Sequence, residues 1–224
     1  MAKIEIFTSD RCGWAVRNYS ALIEKGVEFE LVAAYDGAGA KRDEFLNLTP
    51  YAKTPILRHG ELVVIETLLI NEYIEDAFPE PSLMPKAAQL RAEAKKWMHY
   101  CDSHLIPAIA GVCTLNEDAE RNTALDTAAQ RFEYLDKAAM GLRSGSPYFF
   151  GDQLTLVDLC YSTLFGLLSS MRDDAGEEII IYSTRFAEWR DAVLNRPSVV
   201  EAMEIVKRAP PVDGELQIQA GSAI

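Results

Sequence analysis

Lys3-Ile4-Glu5-Ile6-Phe7-Thr8-Ser9-Asp10-Arg11-Cys12-Gly13-Trp14-Ala15 reads as a strand, a polar turn and the opening of a helix. Ile4 and Ile6 fall on one face and Lys3, Glu5 and Phe7 on the other, the period of two that marks a short strand. After the polar turn, Trp14 to Lys25 has helical spacing and Gly26 closes it. Cys12 therefore stands where a helix begins. Backbone N–H groups without partners and the helix dipole favour negative charge there, and a thiolate is what a cysteine must become to react. A cysteine is also a small apolar residue, so simple packing is the competing reading.

Working outward, Glu28–Val32 is a second strand, and the charged stretch from Ala34 to Asn47 holds a short helix near Arg42–Asn47. Thr54–Arg58 and Glu61–Ile65 are two short strands joined through His59-Gly60, a hairpin. Thr67–Ala77 places Leu69, Ile70, Tyr73, Ile74 and Ala77 at helical spacing. The order βαβαββα predicts an α/β domain over residues 1–78, a mixed sheet with helices on it. Residues 79–85 carry three prolines, which stiffen a connection and cannot continue a helix. Residues 86–224 then read as all-helical, with helices near Lys86–Leu115, Asp118–Arg143, Thr155–Met171, Thr184–Asn195 and Ser198–Lys207. Glu178–Tyr182 is ambiguous, and the chain from Ala209 onward reads as an extended arm.

The 224 residues are 49% hydrophobic and 25% charged, which fits two folded domains and excludes disorder. A net charge of −12 argues against nucleic acid or an anionic membrane as partner. No apolar run reaches the ~20 residues of a membrane span, and no secretory leader is visible. Cys101, Cys113 and Cys160 lie in apolar helical stretches without ligand spacing, and His59, His99 and His104 form no ligand pattern. The expectation is a reduced, cytoplasmic protein that holds no metal.

An α/β domain of this order, a proline linker and a helical domain together resemble the cytosolic glutathione transferases, whose first domain is thioredoxin-like. Four motifs carry the resemblance. Thr54-Pro55 opens a strand, where proline is tolerated and a cis bond makes a sharp turn. Glu66-Thr67 precedes a helix, and Thr67 also fits a plain N-cap. Thr155 and Asp158 have the spacing of a capping box. Cys12-Gly13-Trp14-Ala15 is similar to the Cys-Pro-Phe/Tyr-Ala/Ser motif of the omega-type class, with Gly13 in place of the proline.

The resemblance implies a glutathione-dependent thiol transferase or reductase with Cys12 as the catalytic residue. It implies that Thr54 and Pro55 hold the cysteinyl part of glutathione and Glu66 and Thr67 its γ-glutamyl end. Lys53 would meet the glycyl carboxylate, unless it is simply solvated. Ala15 stands where a second cysteine would be, so the redox chemistry is expected to be monothiol, with glutathione as the resolving thiol. Trp97, Tyr100 and His104 share a helix face; they fit a core stripe, or walls of an acceptor pocket together with Gly13 and Trp14. The expected partners are glutathione, a small-molecule or protein thiol or disulfide, and a second copy of the chain in a homodimer. Two other functions suit the same fold. One is glutathione conjugation or ether/halide displacement, with Ser9 or Thr8 assisting the glutathione thiolate. The other is a non-catalytic adaptor, since residues 78–85 also resemble stringent starvation protein A.

Overall fold

The computed structural model describes residues 2–9, 12–34, 45–49, 53–115, 117–139, 145–171, 180 and 182–208. Four strands, β1 (Ile4–Thr8), β2 (Glu30–Ala33), β3 (Ile56–His59) and β4 (Leu62–Val64), form one sheet in the order β2-β1-β3-β4. β1 pairs parallel with β2 and antiparallel with β3, and β3 pairs antiparallel with β4. This is the mixed sheet that the strand and helix order predicts. Helix α1 (Val16–Glu24) follows a single 3₁₀ turn at Gly13–Ala15, and α2 (Thr67–Ala77) follows the hairpin. Between β2 and β3, residues 45–48 are helical. The earlier part of the helix expected near Arg42 lies outside the described residues.

Both faces of the sheet are covered, which explains why Phe7 is buried although it alternates with Ile4 and Ile6. Phe7, Ala34, Phe45 and Ile56 form one core cluster, with Val32, Leu48, Val63 and Ile65 packed against it. Ile6 and Leu57 are paired across the ladder and, one residue along from Phe7 and Ile56, face the other way. Leu22, Ile70 and Ile74 are fully buried on α1 and α2.

The contacts divide the chain into two compact units, Met1–Pro79 with Glu201–Ile224, and Glu80–Val200. The second unit is helical: α3 (Ala88–Tyr100), α4 (Ile106–Thr114), α5 (Asp118–Ala138), α6 (Leu156–Ser170) and α7 (Thr184–Leu194), with α8 (Pro197–Arg208) crossing the boundary. Where the spacing predicts one uninterrupted helix to Leu115, a π-helical segment, Cys101–Leu105, joins α3 to α4. Pro107 lies just beyond it and has no N–H to offer the carbonyl of Ser103, so a widened turn replaces the regular ladder. Glu178–Tyr182 falls largely outside the described residues, and the expected arm from Ala209 wholly so.

The expected capping box is present. Thr155 accepts at its side chain from the backbone of Asp158, and Asp158 accepts in return from Thr155. Asp158 is fully buried and takes four donors: Oδ1 accepts from Phe149 N at 2.8 Å and Trp189 Nε1 at 2.7 Å, Oδ2 from Thr155 N at 2.7 Å and its hydroxyl at 2.8 Å. Burial pushes its carboxyl above the ordinary aspartate range, and the four donors oppose that shift. Among the described residues no helix is long and apolar enough to cross a membrane.

Candidate functional site

Because β1 and β3 run antiparallel with Phe7 opposite Ile56, the turn leaving β1 lies beside the turn entering β3. That register brings Ser9 and Cys12 to Thr54. Cys12 is half-buried; its N–H donates to Ser9 O at 3.3 Å, and its carbonyl accepts from Ala15 N at 3.0 Å as the 3₁₀ turn begins. The sulfur lies 3.5 Å from the Thr54 carbonyl oxygen and 3.5 Å from the Thr54 hydroxyl, which is 3.0 Å from Ser9 Oγ. The Thr54–Pro55 bond is cis, and Pro55 is buried. Gly13 is exposed with open space where a Cβ would stand, and Trp14 is exposed beside it. Lys53 is exposed just before this turn.

Glu66 and Thr67 form the second pole. Glu66 is exposed and has φ of 67°, a backbone region that β-bearing residues seldom adopt. Glu66, not Thr67, is the N-cap residue of α2; Thr67 is the first helical residue, so the capping role expected for it is corrected. Its hydroxyl is engaged instead by Arg17, whose Nη1 donates to it at 3.3 Å. Asn18 Nδ2 donates to Thr67 O at 2.8 Å and to Asn71 Oδ1 at 2.6 Å. Arg17 and Asn18 are fully buried, and the Arg17 guanidinium lies 5.0 Å from the centroid of the Trp14 ring. The start of α1, which follows Cys12, is thereby tied to the start of α2, which follows Glu66. Burial also pushes the Tyr19 hydroxyl on α1 far above the usual tyrosine range, so it stays a neutral group.

Sequence reasoning did not find Asn18 and Asn71. Their signal was faint: polar residues at positions where helical spacing puts the buried face.

Trp97, Tyr100 and His104 belong to the second unit and do come together. Trp97 packs edge-to-face on Tyr100 with centroids 5.6 Å apart, and Tyr100 lies 5.1 Å from His104. Trp97 is buried against Tyr134 and Phe149, the surroundings of a core residue, whereas His104 is exposed. The Tyr100 hydroxyl donates to Arg131 O at 3.1 Å, and burial raises it above its ordinary range.

A mixed four-stranded sheet with a cis-proline turn beside a cysteine, in a chain that continues as a helical unit, defines a thioredoxin-like transferase architecture. Comparison with known proteins agrees. Residues 11–77 match the N-terminal domain of glutathione S-transferase and residues 106–204 its C-terminal domain. The chain is 28% identical over 207 residues to glutathione S-transferase U14 of Arabidopsis thaliana, covering 87% of this chain and 85% of that protein. It is 33% identical over 141 residues to the stringent starvation protein A homolog of Haemophilus ducreyi, 62% of each. Its fold matches the crystal structure of the Tau-class glutathione S-transferase of mango, Mangifera indica, with a TM-score of 0.77 at 21% identity, over 92% of this chain and 96% of that one. The chain belongs to the glutathione S-transferase superfamily, whose cosubstrate is glutathione.

Proposed function

We propose that this transferase is a glutathione-dependent thiol transferase of the omega type, with Cys12 as its nucleophile. The observation that carries this reading is the Cys12 sulfur itself, half-buried and within 3.5 Å of both polar groups of Thr54. A thioredoxin-like cysteine in that place is set beside the backbone that would hold a cysteinyl substrate. Cys12 as thiolate attacks the glutathionyl sulfur of a mixed disulfide. A Cys12–glutathione disulfide forms, and the acceptor leaves as a thiol after protonation. Free glutathione then attacks the glutathionyl sulfur, regenerating Cys12 and releasing glutathione disulfide. Thr54 and Pro55 would hold the cysteinyl part, Glu66 the ammonium and Thr67 the carboxylate of the γ-glutamyl end, with Lys53 near the glycyl end. The contact of the buried Arg17 guanidinium with the half-buried Thr67 hydroxyl supports an anion at Thr67. Gly13 and Trp14 would line the acceptor side; of Trp97, Tyr100 and His104, His104 is the exposed member.

A second reading, conjugation by the glutathione thiolate, is favoured by the likeness to Tau-class proteins and by Ser9, whose hydroxyl stands 3.0 Å from that of Thr54. Comparing Cys12→Ala with Ser9→Ala separates the two. The thiol-transferase reading expects reduction of a glutathionylated substrate to vanish in Cys12→Ala and persist in Ser9→Ala; the reverse pattern overturns it. An adaptor role, suggested by the stringent starvation protein A homolog, predicts no retention on immobilised glutathione.

The same proposal places the protein in the reducing cytoplasm, where a monothiol cycle is sustained, and makes it a homodimer, the common state in this superfamily. A single species near 25 kDa in sedimentation at micromolar concentration would contradict the dimer.

A further inference from the structure

The helical unit brings two consecutive metal-ligating residues, Cys101 and Asp102, together with a third that is distant in sequence, Cys160. The sulfurs of Cys101 and Cys160 and a carboxylate oxygen of Asp102 all lie within 4.8 Å of one another. Both cysteines are fully buried, and Asp102 is half-buried, so the cluster has a dry inner side and one side open toward solvent. Cys160 Sγ is 3.7 Å from Asp102 Oδ1 and 3.7 Å from the carbonyl oxygen of Met98.

The π-helical segment is what builds this arrangement. Cys101 and Asp102 are consecutive, and in a regular helix their side chains would diverge by ~100°. A π turn holds more residues, which narrows that angle and turns both toward Cys160 on α6. Such turns are frequent at functional sites.

We propose that Cys101, Cys160 and Asp102 form a binding site for a soft divalent cation of the zinc or cadmium type. Zinc bonds of about 2.3 Å to sulfur and about 2.1 Å to oxygen put tetrahedral ligands roughly 3.6 Å apart, close to the Cys160–Asp102 separation seen here. Two thiolates select such a metal over magnesium or calcium, and the open side leaves room for water as a further ligand. On binding, the two thiol protons leave to solvent and the ion offsets three negative ligands that would otherwise repel one another in a buried place. The ion would pin the end of α3 to α6.

The test uses chelator-treated, reduced, full-length protein titrated with Cd²⁺ alone. The expected result is one ion per chain, a thiolate-to-cadmium absorption band, a cadmium-113 resonance typical of mixed sulfur and oxygen ligation, and displacement by Zn²⁺. The band should persist in a Cys12→Ser/Cys113→Ser variant, vanish in Cys160→Ala, and need at least tenfold more Cd²⁺ in Asp102→Ala. Should Cys160→Ala unfold, the resonance of the unsubstituted protein decides on its own. The proposal is overturned if the unsubstituted protein shows no band, if the band disappears with Cys12 and Cys113, or if it survives in folded Cys160→Ala. It is equally overturned if peroxide joins Cys101 to Cys160 in a disulfide while the reduced protein takes up no ion.

Discussion

Thr54 addresses the Cys12 sulfur twice, with its carbonyl oxygen at 3.5 Å and its hydroxyl at 3.5 Å. The carbonyl can accept from the thiol, and the hydroxyl can donate to the thiolate. One residue thus suits both protonation states of the sulfur. Thr54→Val keeps the carbonyl and removes the donor, so thiolate alkylation at neutral pH should slow roughly tenfold, the scale of one hydrogen bond to a charged group. Thr54→Ser should react as the unsubstituted protein does. Equal rates in Thr54→Val and Thr54→Ser would show that the hydroxyl has no part in reactivity.

Glu66→Ala and Thr67→Ala should each weaken glutathione binding, measured by calorimetry, by roughly tenfold or more, since a charge-assisted hydrogen bond contributes ~1.5–3 kcal/mol. Thr67→Ala also takes an acceptor from the buried Arg17, so it should lower thermal stability where Glu66→Ala does not. Thr67→Ser should restore both. A Thr67→Ala protein that melts early yet binds glutathione normally would assign Thr67 to structure alone.

Asp158→Asn should damage the fold nearly as much as Asp158→Ala. Donors converge on both carboxylate oxygens. An amide would set its own N–H₂ against one donor pair and leave buried groups unpaired, at a cost of about 2–4 kcal/mol. Chemical denaturation measures this, and folded variant protein should still bind glutathione. An Asn variant as stable as the original would mean the site accepts a neutral group.

How much of this was legible in the sequence depended on how local each signal is. The Thr155–Asp158 box and the hairpin at Gly60 are written within a few residues; the box appears as read, and the hairpin forms with its turn one residue later, at Gly60-Glu61, because His59 stays in the strand opposite Leu62. The resemblance implied that Cys12 and Thr54 both serve the cysteinyl part of glutathione, but their direct contact depends on the β1–β3 register, which no local signal encodes. Thr67 reads as an N-cap because a hydroxyl at a helix start usually is one; only the structure reveals Arg17 beneath it. The meeting of Cys101 with Cys160 was illegible. It depends on a π turn that helical spacing does not encode and on two helices packing across a long interval.

Glu5 and Arg58 face each other across β1 and β3, with Arg58 Nε donating to Glu5 Oε2 at 2.7 Å. The Arg58 hydrogen bond holds the Glu5 carboxyl below the usual glutamate range. Because the folded state favours the ionised form, this stabilisation is present above the unfolded value near 4.5 and is lost as pH falls through the lower folded value. Glu5→Gln should therefore be less stable at neutral pH by up to about 1 kcal/mol, and the difference should close in acid. A difference that stays constant with pH would contradict the pairing.

Intact-mass analysis of the reduced protein after incubation with glutathione disulfide tests the role of Cys12 most directly. A single glutathionyl adduct is expected, mapped to Cys12, discharged by free glutathione and absent from Cys12→Ala, which also loses thiol-transferase turnover. An adduct confined to Cys113, or a Cys12→Ala variant that still reduces glutathionylated substrate, would contradict it.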